Sequence, residues 1–136
     1  MNARNKICWN AVLFLLVAAC AKPEVATIRF PGSARPGGVM ACGGAREDQE
    51  VRVVSFFVTW PCATKPPLEV RVTNDVGVRV YDEKLPIVLI AGREEPVSVR
   101  VPLPKQSMVV TIEVEASCDQ NSGGALVVET KSCLVE

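Results

Sequence analysis

Residues 50–60 read EVRVVSFFVTW, the most apolar run in the body of the chain. In an extended chain, side chains alternate between two faces. Val51, Val53 and Phe57 then share one face, and Val54, Phe56, Val58 and Trp60 the other. Apolar residues on both faces predict a central strand, or one covered by a partner. Pro61 and then Lys65-Pro66-Pro67 end it.

The flanking sequence keeps this strand grammar: short β-branched runs broken by Pro, Gly, Asn and Asp. Residues 25–30 (VATIRF) form the first predicted strand, and residues 31–44 (PGSARPGGVMACGG) a loop. Residues 68–73 (LEVRVT) alternate, with Leu68, Val70 and Val72 inward. Asn74-Asp75 reads as a turn, and residues 76–81 alternate again through Val76, Val78 and Val80. Residues 85–90 (LPIVLI) read as a continuous apolar strand, followed by a turn at 91–96. Residues 97–103 point Val97, Val99, Val101 and Leu103 inward, and Pro102 on the outer set marks an edge. Residues 108–116 put Met108, Val110, Ile112, Val114 and Ala116 on one face. Residues 119–124 turn, and residues 125–130 make the last strand. Seven or eight short strands with frequent turns predict an all-β protein: an antiparallel β-sandwich, Ig-like in outline, with a small barrel as the other arrangement.

Cys42, Cys62, Cys118 and Cys133 lie in this region, at spacings of 20, 56 and 15 residues. A structural zinc site normally shows closely spaced cysteine pairs. Two disulfides are expected instead, as suits an exported domain. Cys42 and Cys62 flank an 11-residue strand, roughly 36 Å long at 3.3 Å per residue. Bridged Cα atoms must approach within about 7 Å. Cys118 and Cys133 flank the last strand in the same way, so both sequential pairings are awkward. Counting strands up and down pairs Cys42 with Cys118 and Cys62 with Cys133. One strand more or fewer swaps the partners to Cys42 with Cys133 and Cys62 with Cys118.

The N-terminus begins MNARNKICWNAVLFLLVAAC. Arg4 and Lys6 make a positive start, and residues 11–19 are apolar. Nine helical residues span roughly 14 Å, against about 30 Å of hydrocarbon core. The segment therefore reads as a secretory signal at residues 1–19, which also contains Cys8. Val17-Ala18-Ala19-Cys20 resembles the bacterial lipobox. That resemblance implies cleavage before Cys20, acylation of its thiol and amine, and a membrane tether at residues 20–24. Two or more acyl chains anchor stably where one does not. By resemblance to enterobacterial lipoproteins, Ala21 after the cysteine implies sorting to the outer membrane, facing the periplasm. An ordinary signal peptide with Cys20 left as a thiol is the other reading.

Cleavage before Cys20 leaves 117 of the 136 residues, expected to form one domain at 25–136. Thirteen basic residues then face fifteen acidic ones, a net charge of −2 and not the basic face of a nucleic-acid binder. Histidine is absent, which excludes Ser-His-Asp and Cys-His catalysis and removes the commonest metal ligand. No enzyme, cofactor or metal site is expected.

A few residues invite a functional reading. Trp60 suits a binding anchor, although sharing a face with Phe56 and Val58 places it in the core. Arg93, Glu94 and Glu95 suit a recognition loop or a solvated turn. The loop from Gly32 to Gly44 suits a binding segment or a linker. Glu113 and Glu115 share a strand face about 7 Å apart, a spacing open to cation binding or acid–base work, or simply to solvent.

The lipobox, the mature length and the all-β pattern together resemble the small β-sandwich pilotins of type III secretion systems. That resemblance implies binding of a secretin subunit, with no individual residue carried over. Lipobox-bearing lysozyme inhibitors are disulfide-stapled β barrels, and Ser122-Gly123 is similar to their Ser-Gly loop. Their aromatic positions are not matched, since the only tyrosine is Tyr81. A structural envelope lipoprotein is the third expectation. In each case the exposed edge of a tethered sandwich is suited to strand addition by an extended peptide.

Overall fold

A computed structural model describes residues 25–46, 51–104 and 106–136. The expected signal segment 1–19 and the expected tether 20–24, with Cys20, lie outside the described residues. The strands are β1 (Thr27–Arg29), β2 (Ala41–Arg46), β3 (Val51–Thr59), β4 (Thr64–Thr73), β5 (Arg79–Leu85), β6 (Glu95–Pro102), β7 (Met108–Cys118) and β8 (Leu126–Val135). No α-helix occurs among the described residues; a single 3-10 turn covers Gln120–Ser122.

The eight strands form one folded sheet in the order β1-β3-β2-β8-β7-β4-β5, with β6 on the free side of β3. β1 and β2 both lie beside β3, at opposite ends: Thr27 is opposite Thr59, and Arg46 opposite Arg52. The sheet therefore bends at β2 into two halves. β6, β3 and β1 make one, and β8, β7, β4 and β5 the other. This is the Ig-like sandwich that the alternation predicts. It departs from a purely antiparallel sheet at one place, where β2 runs parallel to β8.

The core lies between the halves. Val54, Phe56, Val58 and Trp60 from β3 and its end meet Leu68, Val70 and Val72 of β4 and Val110, Ile112 and Val114 of β7. β6 contributes Val97, Val99 and Val101. The outer residues of β3 are half-buried and its inner ones buried, as suits a central strand.

Cys42–Cys133 and Cys62–Cys118 are the disulfides, with Cα atoms 5.7 and 5.6 Å apart. The pairing of Cys42 with Cys118 and Cys62 with Cys133 is thus corrected to its swapped form. The reason is one strand fewer than expected between Cys62 and Cys118. Residues 76–81 and 85–90 were read as two strands, but β5 is a single strand, Arg79–Leu85. Pro86 lacks the amide hydrogen that a ladder needs. Residues 86–94 instead cross from the β5 edge to the β6 edge over one end of the sandwich. Leu89 pins this crossover: its amide donates to Thr64 Oγ1 (2.8 Å) and its carbonyl accepts from Thr64 N (3.0 Å). Val76 and Val78, expected inward, are exposed in the β4–β5 turn. Asn74 organises that turn by accepting from the amides of Val76 and Val78.

Further boundaries differ. β8 runs from Leu126 to Val135, past the predicted 125–130, so Cys133 lies within it. β4 continues through Pro66 and Pro67, where its pairing to β7 shifts register; prolines in sheets belong at such irregularities. The last four residues of the predicted loop 31–44 belong to β2, which runs on to Arg46. A Cβ on Gly43 would sit 2.2 Å from the Val53 carbonyl oxygen, so glycine there permits β2 to approach β3.

Candidate functional site

The outer face of the β8-β7-β4-β5 half carries its charge around one residue. Ladder register sets Arg71 of β4 opposite Asp82 of β5 and Glu113 of β7, and sets Glu69 opposite Glu115. Arg71 Nη1 lies 2.6 Å from Glu113 Oε2, and Nη2 lies 3.0 Å from Glu115 Oε1 and 3.1 Å from Glu69 Oε2. Asp82 Oδ1 is 3.8 Å from Nε. The hydrogen bond to Glu115 raises the guanidinium's pKa against an opposing effect of burial, and the charges of Glu115, Glu69 and Glu113 add to the rise. Glu113 and Glu115 do share a face, as expected. They are held by a common guanidinium that rivets three strands. Among the described residues, no group of three or more His, Cys, Asp or Glu side chains is placed to hold a metal ion.

Beside this network lies a recess of about 210 Å³, lined by Pro67, Glu69, Lys84, Glu115, Ala116, Ser117 and Leu126. A shallower cleft of about 550 Å³ opens on the other half, over Gly43, Gly44, Val53, Ser55 and Glu136.

The recess borders the edge of β8. β7 pairs with β8 from Leu126 to Val135, whereas β2 reaches only Leu134 and Val135. Among the described residues, 126–132 therefore carry a ladder on one side only. The phase of that ladder follows from two bonds. Cys118 N donates to Ala125 O toward β7, and Leu134 N donates to Met40 O away from it. Odd-numbered residues of β8 thus bond β7, and the backbones of Leu126, Val128, Thr130 and Ser132 point to the open side. Leu126 and Val128 are also exposed apolar side chains.

The other edges are guarded. β6 carries Pro96 and Pro102, β5 presents Asp82, Glu83 and Lys84, and β1 has three residues. Prolines, charges and short length all discourage strand addition. β8 is partly guarded, among the described residues, by the nearby β1 strand: Lys131 Nζ reaches the Ile28 carbonyl (3.0 Å) and lies 5.6 Å from the Phe30 ring centroid, but β1 forms no ladder with β8.

The chain matches no family model, and no curated protein and no solved structure matches it. A functional reading therefore stands on these residues.

The other residues singled out from sequence resolve as follows. Trp60 is fully buried core, and its Nε1 has no hydrogen-bond partner among the described residues. Glu94 forms a two-point ion pair with Arg29, at 2.8 and 2.9 Å, and these bonds hold its carboxyl below the usual range. Arg29 also lies over the Phe57 ring, 4.4 Å from its centroid. Glu94 thus ties the crossover to β1 and is not a loose recognition group. Most of the loop from Gly32 to Gly44 is a tight reversal. Arg35 and Val39 are hydrogen-bonded at 2.8 Å, and Ala34 bridges to Met40. Gly123 sits in a closed turn at the end of β7, where Gly124 N donates to Asp119 O (2.9 Å). Burial raises the pKa of the half-buried Tyr81 hydroxyl.

Sequence reasoning missed Arg52. It occupies the inward face of β3, in line with Val54 and Phe56, and is buried. Its guanidinium donates to the backbone carbonyls of Glu136 and Gln106, which closes this end of the core. The open edge of β8 was also missed, since only strand order reveals it.

Proposed function

We propose that this chain is a lipoprotein of the bacterial envelope, anchored to the outer membrane through Cys20 and facing the periplasm. In this reading it is a binding and assembly module, and its best-fitting role is that of a pilotin-like chaperone for a secretin subunit of a protein secretion system. The observation that carries the binding role is the one-sided ladder of β8 at residues 126–132. An extended segment of the partner adds to this edge by main-chain hydrogen bonds, while Leu126, Val128 and the neighbouring recess select its side chains. Two disulfides accord with an oxidising compartment outside the cytoplasm.

The test is capture from cross-linked native envelopes with the tagged, lipidated protein and a Cys20→Ala control. A secretin subunit is expected with the parent, and is lost or mislocalised in the control. Deleting the gene should also reduce secretin multimers. Unchanged multimers would remove the secretin role. Recovery of a glycan hydrolase would point instead to an inhibitor.

A further inference from the structure

We infer that the end of the sandwich where β1 begins lies against the bilayer, with Val88 and Ile90 inserted among the lipid headgroups. This inference rests on the lipid-anchor reading of Cys20.

Covalent geometry supplies the first support. Four residues lie between Cys20 and Val25, and the five extended steps from one Cα to the other reach at most about 18 Å. Val25 leads directly into β1, whose Thr27 is opposite Thr59 at the end of β3. The acyl chains are therefore confined near this end.

The same end carries the crossover. Gly92 N donates to Trp60 O, one residue beyond Thr59, and Leu89 is bonded to Thr64 at the start of β4. Residues 87–90 alternate. Ile87 packs against the core and Leu89 is buried, while Val88 and Ile90 are 51% and 48% exposed. A turn closed by the Arg93 amide on the Ile90 carbonyl (3.0 Å), with Gly92 at φ 74°, holds this projection. Val25 adds a third exposed apolar side chain, at 64%.

The rim is mixed in charge: Lys65 and Arg93 are exposed, Glu94 is held by Arg29, and Glu95 and Asp119 lie at the same end half-buried. The apolar tips therefore carry the insertion, and the exposed cations can sit at the headgroup boundary beside them. Val76 and Val78 are also exposed, but they sit at the opposite end of β4, roughly 30 Å away at 3.3 Å per residue.

The experiment uses full-length lipidated protein in vesicles of phosphatidylethanolamine and phosphatidylglycerol with brominated acyl chains. Ile90→Trp is compared with Val76→Trp and with the parent, whose Trp60 is buried. Val88→Trp replaces the first variant if it does not fold. The expected result is at least twofold quenching of the Ile90→Trp or Val88→Trp signal, with Val76→Trp quenched no more than the parent. Equal quenching at both ends, or none at residues 88 and 90, would overturn the inference while leaving the anchor reading intact. Mass spectrometry of Cys20 on the same preparation separates the two: an unmodified Cys20 overturns both.

Discussion

The two halves of β8 are built for different ends. Its last residues are flanked on both sides, by β7 and by β2, and Cys133 is bridged to Cys42. Arg52 secures the neighbouring Glu136 carbonyl. Residues 126–132 of the same strand have β7 on one side and an open row of backbone groups on the other. Strand propensity does not distinguish them, since both halves contain apolar and β-branched residues. The neighbour distinguishes them. β2 reaches one half because Gly43 and Gly44 remove the side chains that would collide with Val53 and Glu136. At the other half β1 approaches without forming a ladder, and Lys131 bonds the Ile28 carbonyl.

The strongest way to break this contrast is to remove the clamp. Replacing Cys42 and Cys133 together by alanine opens a covalent loop with a sequence separation of 91. With Cys62–Cys118 still closing a separation of 56 inside it, the chain-entropy estimate is a loss of about 4 kcal/mol. Thermal unfolding should shift accordingly, and amide exchange should rise at residues 133–135 more than at 126–132. Equal increases would mean that the strand responds as one unit.

Proline separates the two sides of the open half. Glu129→Pro removes an amide that faces β7 and should cost about 3 kcal/mol, near the cost of interior proline elsewhere. Val128→Pro removes an amide that faces outward. It should cost less than about 1 kcal/mol and yet abolish partner capture. Similar costs at the two positions, read by denaturant unfolding, would refute the ladder phase assigned above. A gentler probe is Leu126→Lys, which guards the edge with charge. Its stability should stay within about 0.5 kcal/mol of the parent, with capture reduced.

The smallest effect is electrostatic. Arg29 and Arg35 hold the carboxyls of Glu94 and Glu136 below their ordinary values, chiefly through side-chain hydrogen bonds. A depressed folded-state value adds stability above the unfolded carboxylate range, near pH 4.3, and that stability is lost as pH falls through the folded values. Both groups are exposed, so solvent weakens the effect. Carboxyl NMR titration should place both midpoints below the ordinary glutamate value of about 4.3.

Much of the fold was legible where one face of a strand is buried. Val97 to Leu103 and Met108 to Ala116 alternate because every second side chain enters the core, and the structure buries those residues. Legibility failed where composition had another cause. Residues 86–90 are as apolar as a strand, but Leu89 alone is buried and Pro86 cannot join a ladder. That single miscount exchanged the disulfide partners. β2 was hidden because its glycines record a close approach, which sequence alone does not distinguish from a loop. The candidate site was least legible. The Arg71 network depends on cross-strand register, and the free edge depends on strand order. Neither is a local property of the chain.

The position of the first disulfide cysteine also has a mechanical consequence. All of the chain from Val25 to Ala41 precedes Cys42, and β1 is held to β3 over only three residues. A steady pull from the N-terminal side would peel β1 away first, releasing roughly 60 Å of slack over seventeen residues. The load would then pass through the Cys42–Cys133 bond directly into β8. If the chain is anchored and loaded as proposed, a cargo paired to β8 would hang by a covalent line through Cys42–Cys133, with β1 as a yielding element in series and most of the sandwich beside the path of force.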